Sequence, residues 1–304
     1  MASTLEGFYL IDKAPGWTSH DVVAKIRSTL KTKRVGHAGT LDPGASGLLI
    51  VGIGRATRLL RYFSNSTKEY TGRVVFGVST DTLDNLGRPN CSGSIEGLSI
   101  ETIKHGIARF IGDIDQIPPM VSAKKINGTK LYTLARQGIE IERQPVRVRV
   151  DRFELDGPLS HESVEIDGRT FNVASLPIAV TCSAGTFVRS LAHDLGRVVG
   201  FESHLRDLRR TKVGCLDVDQ AIDVTKVAQD NLRPVNLVSC VLDQVQVDAE
   251  IEVEILNGVR LSPGTLERLP NYRPGPYAVV GSAGNLLGVY RSTDTHEVPE
   301  VILN

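Results

Sequence analysis

Residues 36–54 read GHAGTLDPGASGLLIVGIG, a glycine-rich bend running into an apolar stretch, 47–54, that suits a buried strand. Six glycines fall between Gly36 and Gly54, so the backbone is free to take positive φ angles or to approach a ligand closely. Pro43 pushes Asp42 out of the helical region and sets its carboxylate on a bend. Taken alone, this is an Asx-Pro turn joining two elements.

Outward from the bend, GFYLID (7–12) reads as a short apolar strand. A helix follows from Thr18, with Thr18 and Asp21 at capping-box spacing and Val22, Ile26 and Leu30 on one face. EYTGRVVFGVST (69–80) alternates as one half-buried strand, and DTLDNLGRPN after it is a polar turn. Ile100, Ile103, Ile107 and Phe110 share a helical face behind a Ser99 cap, and a short helix is expected around Leu131–Arg136. PVRVRV and SLPIAVTCSAG alternate again. Phe187, Leu191, Leu195 and Val198 recur at helical spacing, and Gly200 ends that helix. Several strands succeed one another without intervening helices, which excludes a strict βαβ series. The pattern predicts an α+β fold with a mostly antiparallel or mixed central sheet flanked by helices. Beyond residue 237 the chain turns acidic, with short β-like runs between Gly and Pro turns, as in a small β domain.

At 304 residues, 41% apolar and 23% charged, the chain fits a soluble globular protein with one large and one smaller domain. It contains no apolar run of membrane-spanning length, and its N-terminus lacks a secretory pattern, so a cytoplasmic protein is expected. Cys91, Cys182, Cys215 and Cys240 lie far apart, which argues against zinc or a disulfide framework. The zero net charge conceals an asymmetry: residues 241–304 carry four Lys/Arg against nine Asp/Glu, so the first 240 residues are net positive by five. Their cations cluster in KTKR (31–34), RVRVDR (147–152) and RDLRRTK (206–212), candidate local phosphate contacts whose bland alternative is a solvated surface.

No phosphate-binding Gly-x-x-x-x-Gly-Lys-[Ser/Thr] loop, histidine ligand spacing or Gly-x-Ser-x-Gly elbow is present. GIGRAT (52–57) begins like a dinucleotide loop, but Thr57 stands where the third glycine belongs. The remaining chemistry is that of one carboxylate, Asp42, acting as nucleophile or base without metal or cofactor.

Five ordered blocks resemble the bacterial tRNA pseudouridine-55 synthases of the TruB type: DKAPGWTSHDVV (12–23), GHAGTLDPGASGLL (36–49), KEYTGRVVFGVSTDTLDNLG (68–87), QIPPMVSAKKINGTKLYTLARQGIEIER (116–143) and CSAGTFVRSLAHDLG (182–196). The resemblance implies the pseudouridine synthase fold, with a catalytic domain over 1–236 and a PUA-like domain over 237–304. It implies isomerisation of uridine-55 in the T-loop of tRNA, on a base flipped out of the stack, with no cofactor. A monomer is expected, because an RNA substrate this large needs no second subunit. Asp42 would be the catalytic aspartate, attacking sugar or base, and Arg189 would pair with it. Tyr70 and Phe187 would offer rings to the base and Leu208 an apolar wall, and His37 would hold the T-loop or fill the gap left by the extruded base. Lys13 would serve structure or touch phosphate. Lys124, Lys125, Lys130, Arg136 and Arg143, in an RNA-gripping insertion over 116–145, would contact phosphates. Phe187 departs from a frequent tyrosine, and Val121 from a frequent aromatic. Two other readings stand beside this one: a tRNA-binding or folding module in which chemistry is incidental, and a nucleotide-dependent enzyme using GIGRAT.

Overall fold

β1 (Gly7–Lys13) and β3 (Ser46–Ile53) pair antiparallel and are almost continuously apolar because both of their faces are covered. Tyr9, Ile11, Leu49 and Val51 pack on Val22, Val23 and Ile26 of α1 (Ser19–Leu30). Phe8, Leu10, Leu48 and Ile50 point the other way, onto Phe63 of α2 (Leu60–Ser64) and onto Ala278, Leu286 and Val289 from the C-terminal part of the chain. The computed structural model describes residues 5–122, 125–126, 129–131, 137–139, 141–262, 264–266 and 275–303.

The central sheet runs β1-β3-β13-β4-β12-β10-β7, with β2 (Val35–Ala38) on β3, β11 (Ser160–Ile166) on β12 and β14 (Leu216–Asp217) on β13. Its other members are β4 (Lys68–Phe76), β7 (Gly112–Gln116), β10 (Val146–Leu155), β12 (Arg169–Cys182) and β13 (Ser203–Val213). Among the described pairs of this sheet only β13 with β3 is parallel, so the mixed, mostly antiparallel sheet is as the alternation predicts. α3 (Ile100–Ala108) and α4 (Val188–Val199) cover one face of the sheet, burying Ile103, Ile107, Leu191 and Leu195 against Val74, Leu176 and Val180. α1 carries the expected capping box of Thr18 and Asp21, and α4 ends on Gly200 at φ +87°.

Two expectations change. The strand over 69–80 breaks at Gly77, whose φ of +114° and N–H bond to the Glu202 carbonyl turn the chain. β5 (Val78–Thr80) then pairs with β6 (Pro89–Ser92) instead of continuing the central sheet. Cys215 and Cys240 are joined in a disulfide, although the wide spacing of the four cysteines argues against a disulfide framework. The run after β14 folds back along β1, through Ile222 beside Ile11 and Arg233 beside Phe8, and this return brings the two cysteines together. The short helix expected at 131–136 falls mostly outside the described residues.

β15 (Asp243–Gln246), β16 (Tyr277–Val280), β17 (Leu286–Ser292) and β18 (Glu297–Ile302) form a separate four-stranded sheet. α5 (Ala249–Leu256) covers it, and Val245, Ile255, Tyr277 and Tyr290 fill its own small core. Glu300 ties this unit to α2, accepting from Tyr62 Oη at 2.7 Å and from Arg61 Nη2 at 3.0 Å. No described helix is long and apolar enough to cross a membrane.

Gly47 is the tightest point of the framework beneath the bend. It lies opposite Arg210 across the parallel pair at φ +102°, where an added Cβ would fall 2.2 Å from the Arg210 carbonyl oxygen. Gly47→Ala is expected to destabilise the fold by about 3 kcal/mol. A thermal melt should show the midpoint about 6–12 °C lower; an unchanged midpoint would mean that β3 and β13 separate freely at this point.

Candidate active site

The bend at 39–45 is held from both sides. Gly39 takes φ +70°, and the Ala45 N–H closes a turn on the Asp42 carbonyl at 3.1 Å. Ser19, at the start of α1, donates its hydroxyl to the Leu41 carbonyl at 3.2 Å and accepts from the Leu41 N–H at 3.0 Å. The Gly16 N–H donates to the Pro43 carbonyl at 2.8 Å. Lys13, buried at 1% exposure, sends its ammonium to the carbonyls of Trp17 (2.7 Å), Ala14 (3.0 Å) and Pro43 (3.5 Å). Burial pushes its pKa down to about 8. Its ammonium, held by three backbone carbonyls, ties the loop to the start of α1.

Asp42 therefore stands out from a fixed backbone with its carboxylate toward Arg189 at the start of α4, Oδ2 to Nε 2.9 Å. Arg189 is 4% exposed and its fork is fully used: Nη1 donates to the Thr82 carbonyl at 2.7 Å and Nη2 to the Val121 carbonyl at 2.8 Å. Nη1 also lies 3.8 Å from Asp84 Oδ2. Burial pushes the Asp42 carboxyl above the ordinary carboxylate range, with Arg189 pulling the other way and Asp84 adding to the rise. The Val121 side chain is thus secondary here, because the backbone of that residue makes the contact.

A cleft of about 220 Å³ opens beside Asp42, walled by Tyr70, Phe187 and Leu208 and floored by Lys68 and Arg210. The structure brings together five of the expected residues: Asp42, Tyr70, Phe187, Arg189 and Leu208. Phe187 is fixed by Gln116, whose side chain accepts from its N–H at 2.7 Å and donates to its carbonyl at 3.0 Å. The Tyr70 hydroxyl faces Arg210, and its pKa is raised by burial.

His37 is not among the cleft walls. It lies on β2 with its ring edge-on to His20, centroids 5.6 Å apart, and its Nδ1 is buried with no partner among the described residues. Burial, with His20 and Arg210 adding, pushes its pKa down to about 4, so the ring is neutral near pH 7. Arg143 reaches the Pro118 carbonyl at 3.2 Å, away from the cleft. Lys124 and Arg136 lie outside the described residues, as do the side chains of Lys125 and Lys130 on β8 (Lys125–Ile126) and β9 (Thr129–Lys130).

Two of the three basic clusters are largely spent on carboxylates. Arg147 and Arg149 meet Asp113, Arg152 meets Glu154, Arg206 meets Glu162 and Arg209 meets Asp12. Lys31, Lys33 and Arg34 are exposed, with no ion pair among the described residues. GIGRAT offers no phosphate cradle: Gly52 and Gly54 are buried, and Leu60 and the Leu5 carbonyl crowd the space beside them. Asp84, Lys68 and Arg210 are the site residues that the motifs do not single out.

The TruB family pseudouridylate synthase N-terminal domain matches residues 27–188, and the tRNA pseudouridylate synthase B C-terminal domain matches 189–244. The chain belongs to the TruB family. It is 39% identical over 287 residues to the tRNA pseudouridine synthase B of Streptomyces griseus, covering 94% of this chain and 93% of the relative. To the protein of the same name from Paenarthrobacter aurescens it is 34% identical over 302 residues, covering 98% and 95%. A chain of a Cbf5–Nop10–Gar1 complex shares the fold, with a TM-score of 0.69 at 23% identity over 99% of this chain and 84% of that one.

Proposed function

We propose that this protein is a tRNA pseudouridine synthase that isomerises uridine-55 of the T-loop. The carrying observation is the pairing of Asp42 with the buried Arg189 at the mouth of a cleft walled by Tyr70, Phe187 and Leu208, in a chain of the TruB family. Relatives sharing 34–39% of their residues over nearly the whole chain bear the name tRNA pseudouridine synthase B. The reaction exchanges no electrons with the medium: the N1–C1′ bond breaks, the base turns, and C5 bonds to C1′. Asp42 serves as the nucleophile, and Arg189 holds it ionised and oriented. A uracil flipped from the loop lies against the Tyr70 ring and the Leu208 wall, since stacking on an aromatic face needs no base pairing. The catalytic part is 1–236, and 237–304 is an acidic PUA-like unit; the separate four-stranded sheet of the latter supports this division. The protein acts as a cytoplasmic monomer on the T-arm.

Unmodified tRNA incubated with the protein should lose uridine and gain pseudouridine at position 55; binding without product would favour a tRNA-folding module. The uncompensated Lys31, Lys33 and Arg34 supply phosphate contacts beside the bend. Replacing all three with Gln should flatten the slope of log K against log salt by about 2–3, near one for each phosphate no longer neutralised. An unchanged slope would place the RNA elsewhere.

A further inference from the structure

Two cations at the floor of the cleft have no carboxylate partner among the described residues. Lys68 is 6% exposed and Arg210 is 1% exposed. The Lys68 ammonium donates to the carbonyls of Ser64, Ser66 and Phe63, and Arg210 donates from Nε to the Leu48 carbonyl (2.7 Å) and from Nη2 to the Gly39 carbonyl (2.9 Å). All of these acceptors are neutral. Glu69, beside Lys68 in sequence, is spent on Arg152 and Lys212. The two carboxylates of the site, Asp42 and Asp84, already face Arg189, and Asp42 also feels Lys13. Of the charged residues that line the cleft, three are cations, Lys68, Arg189 and Arg210, and one is a carboxylate, Asp42; with Asp84 counted beyond Arg189 the site still holds more positive than negative charge. Buried charge without a counter-charge is unfavourable, so such a site is arranged for negative charge that arrives or develops there.

The reaction under the reading above develops such a charge. When the N1–C1′ bond breaks, its electron pair leaves on N1, and the freed uracil is an anion spread over N1, O2 and O4. C1′ meanwhile bonds to an Asp42 oxygen. After the base turns, the C5 electron pair forms the new bond to C1′ and the C1′–O pair returns to Asp42. C5 then releases its proton and N1 takes one up, so the sum is an isomerisation. We propose that Lys68 and Arg210 form a cationic floor that stabilises the uracil anion between bond breaking and bond making, a role that rests on this protein being a pseudouridine synthase. Fixed charges aimed at a transient anion act without reorganising at the moment of reaction, and they lower the barrier without tightening ground-state binding. Arg210 sits opposite Tyr70 in the β13–β4 register, so the Tyr70 ring and the cation reach the base from one direction.

An RNA phosphodiester is the other source of negative charge that could fill the floor, and the test separates the two. Phosphate is charged before and during reaction, so losing its partner weakens tRNA affinity; uracil is charged only during reaction, so losing its partner lowers the rate. Single-turnover rates and tRNA affinities would be measured for wild type, Lys68→Met, which removes a charge, and Arg210→Lys, which keeps one. Each is given tRNA carrying uridine or 5-fluorouridine at the target, whose base leaves as a more stable anion; loss of the N-glycoside is the readout. Lys68→Met should slow uridine about 100-fold, with tRNA affinity within about threefold of wild type. On 5-fluorouridine it should lose no more than about tenfold, and Arg210→Lys should stay within about tenfold on both. Equal slowing on both bases would mark a merely structural lysine, and weakened affinity at an unchanged rate would mark a phosphate site; either overturns the inference. A wild type that makes no pseudouridine instead overturns the functional reading and takes this inference with it.

Discussion

Asp42→Asn is expected to lower pseudouridine formation by at least about 10⁴-fold while tRNA affinity stays within about threefold. The amide nearly matches the carboxylate in shape, and the backbone that carries it is held independently by Ser19, Gly16 and Lys13. What disappears is the negative oxygen that attacks, an interaction made in the transition state rather than with bound RNA. Comparable product from both proteins in single turnover would remove Asp42 from the chemistry. The same carboxyl sets the acid side of the pH profile. Because burial raises it, the ionised form is lost above the pH at which an ordinary aspartate would titrate, and kcat/KM should fall with acid there. Stability moves in the opposite sense: a carboxyl whose folded pKa exceeds its unfolded value stabilises the fold at low pH and gives that up as pH rises. At neutral pH the charged nucleophile is therefore maintained against the preference of its surroundings.

What the sequence made legible was local. The capping box at Thr18, the glycine end of α4 and the apolar run of β3 each depend on neighbours a few residues away, and each lies where the pattern placed it. The break at Gly77 was hidden because alternation continues across it; only the bond to Glu202, far along the chain, reveals the turn. Asp84 read as a turn residue, and it does accept from the Leu86 N–H and the Thr82 hydroxyl as turn residues do. Its second role arises only because α4 delivers Arg189 across the fold. RDLRRTK shows the same limit: of its four cations, Arg206, Arg209 and Lys212 pair with Glu162, Asp12 and Glu69, and Arg210 is a buried guanidinium, a division set by the alternation of β13 and by its partners. The Asp42–Arg189 pair was legible through the resemblance, whereas the charge excess around it required the sheet to be assembled.

Arg189 should be the least replaceable side chain in the protein after Asp42. Arg189→Met removes the one cation between Asp42 and Asp84 and leaves the Thr82 and Val121 carbonyls without their donor. Breaking such a buried arrangement from one side destabilises by about 3–5 kcal/mol, since the remaining charges lose their compensation. The rate should fall at least about 10³-fold as the nucleophile loses both its orientation and the charge that keeps it ionised. Arg189→Lys separates these effects. An ammonium restores the charge, and with it part of the melting temperature, but its single centre cannot replace a planar fork that meets Asp42, Thr82 and Val121 in three directions. Its rate should stay at least about 100-fold below wild type, with the acid limb of the pH profile closer to normal than in the methionine variant. Adding Asp84→Asn to Arg189→Met removes the like charge that faces Asp42, and should recover stability without recovering rate. Full activity in Arg189→Lys would show that charge alone suffices and that the fork, with the two backbone segments it ties to α4, is dispensable for catalysis.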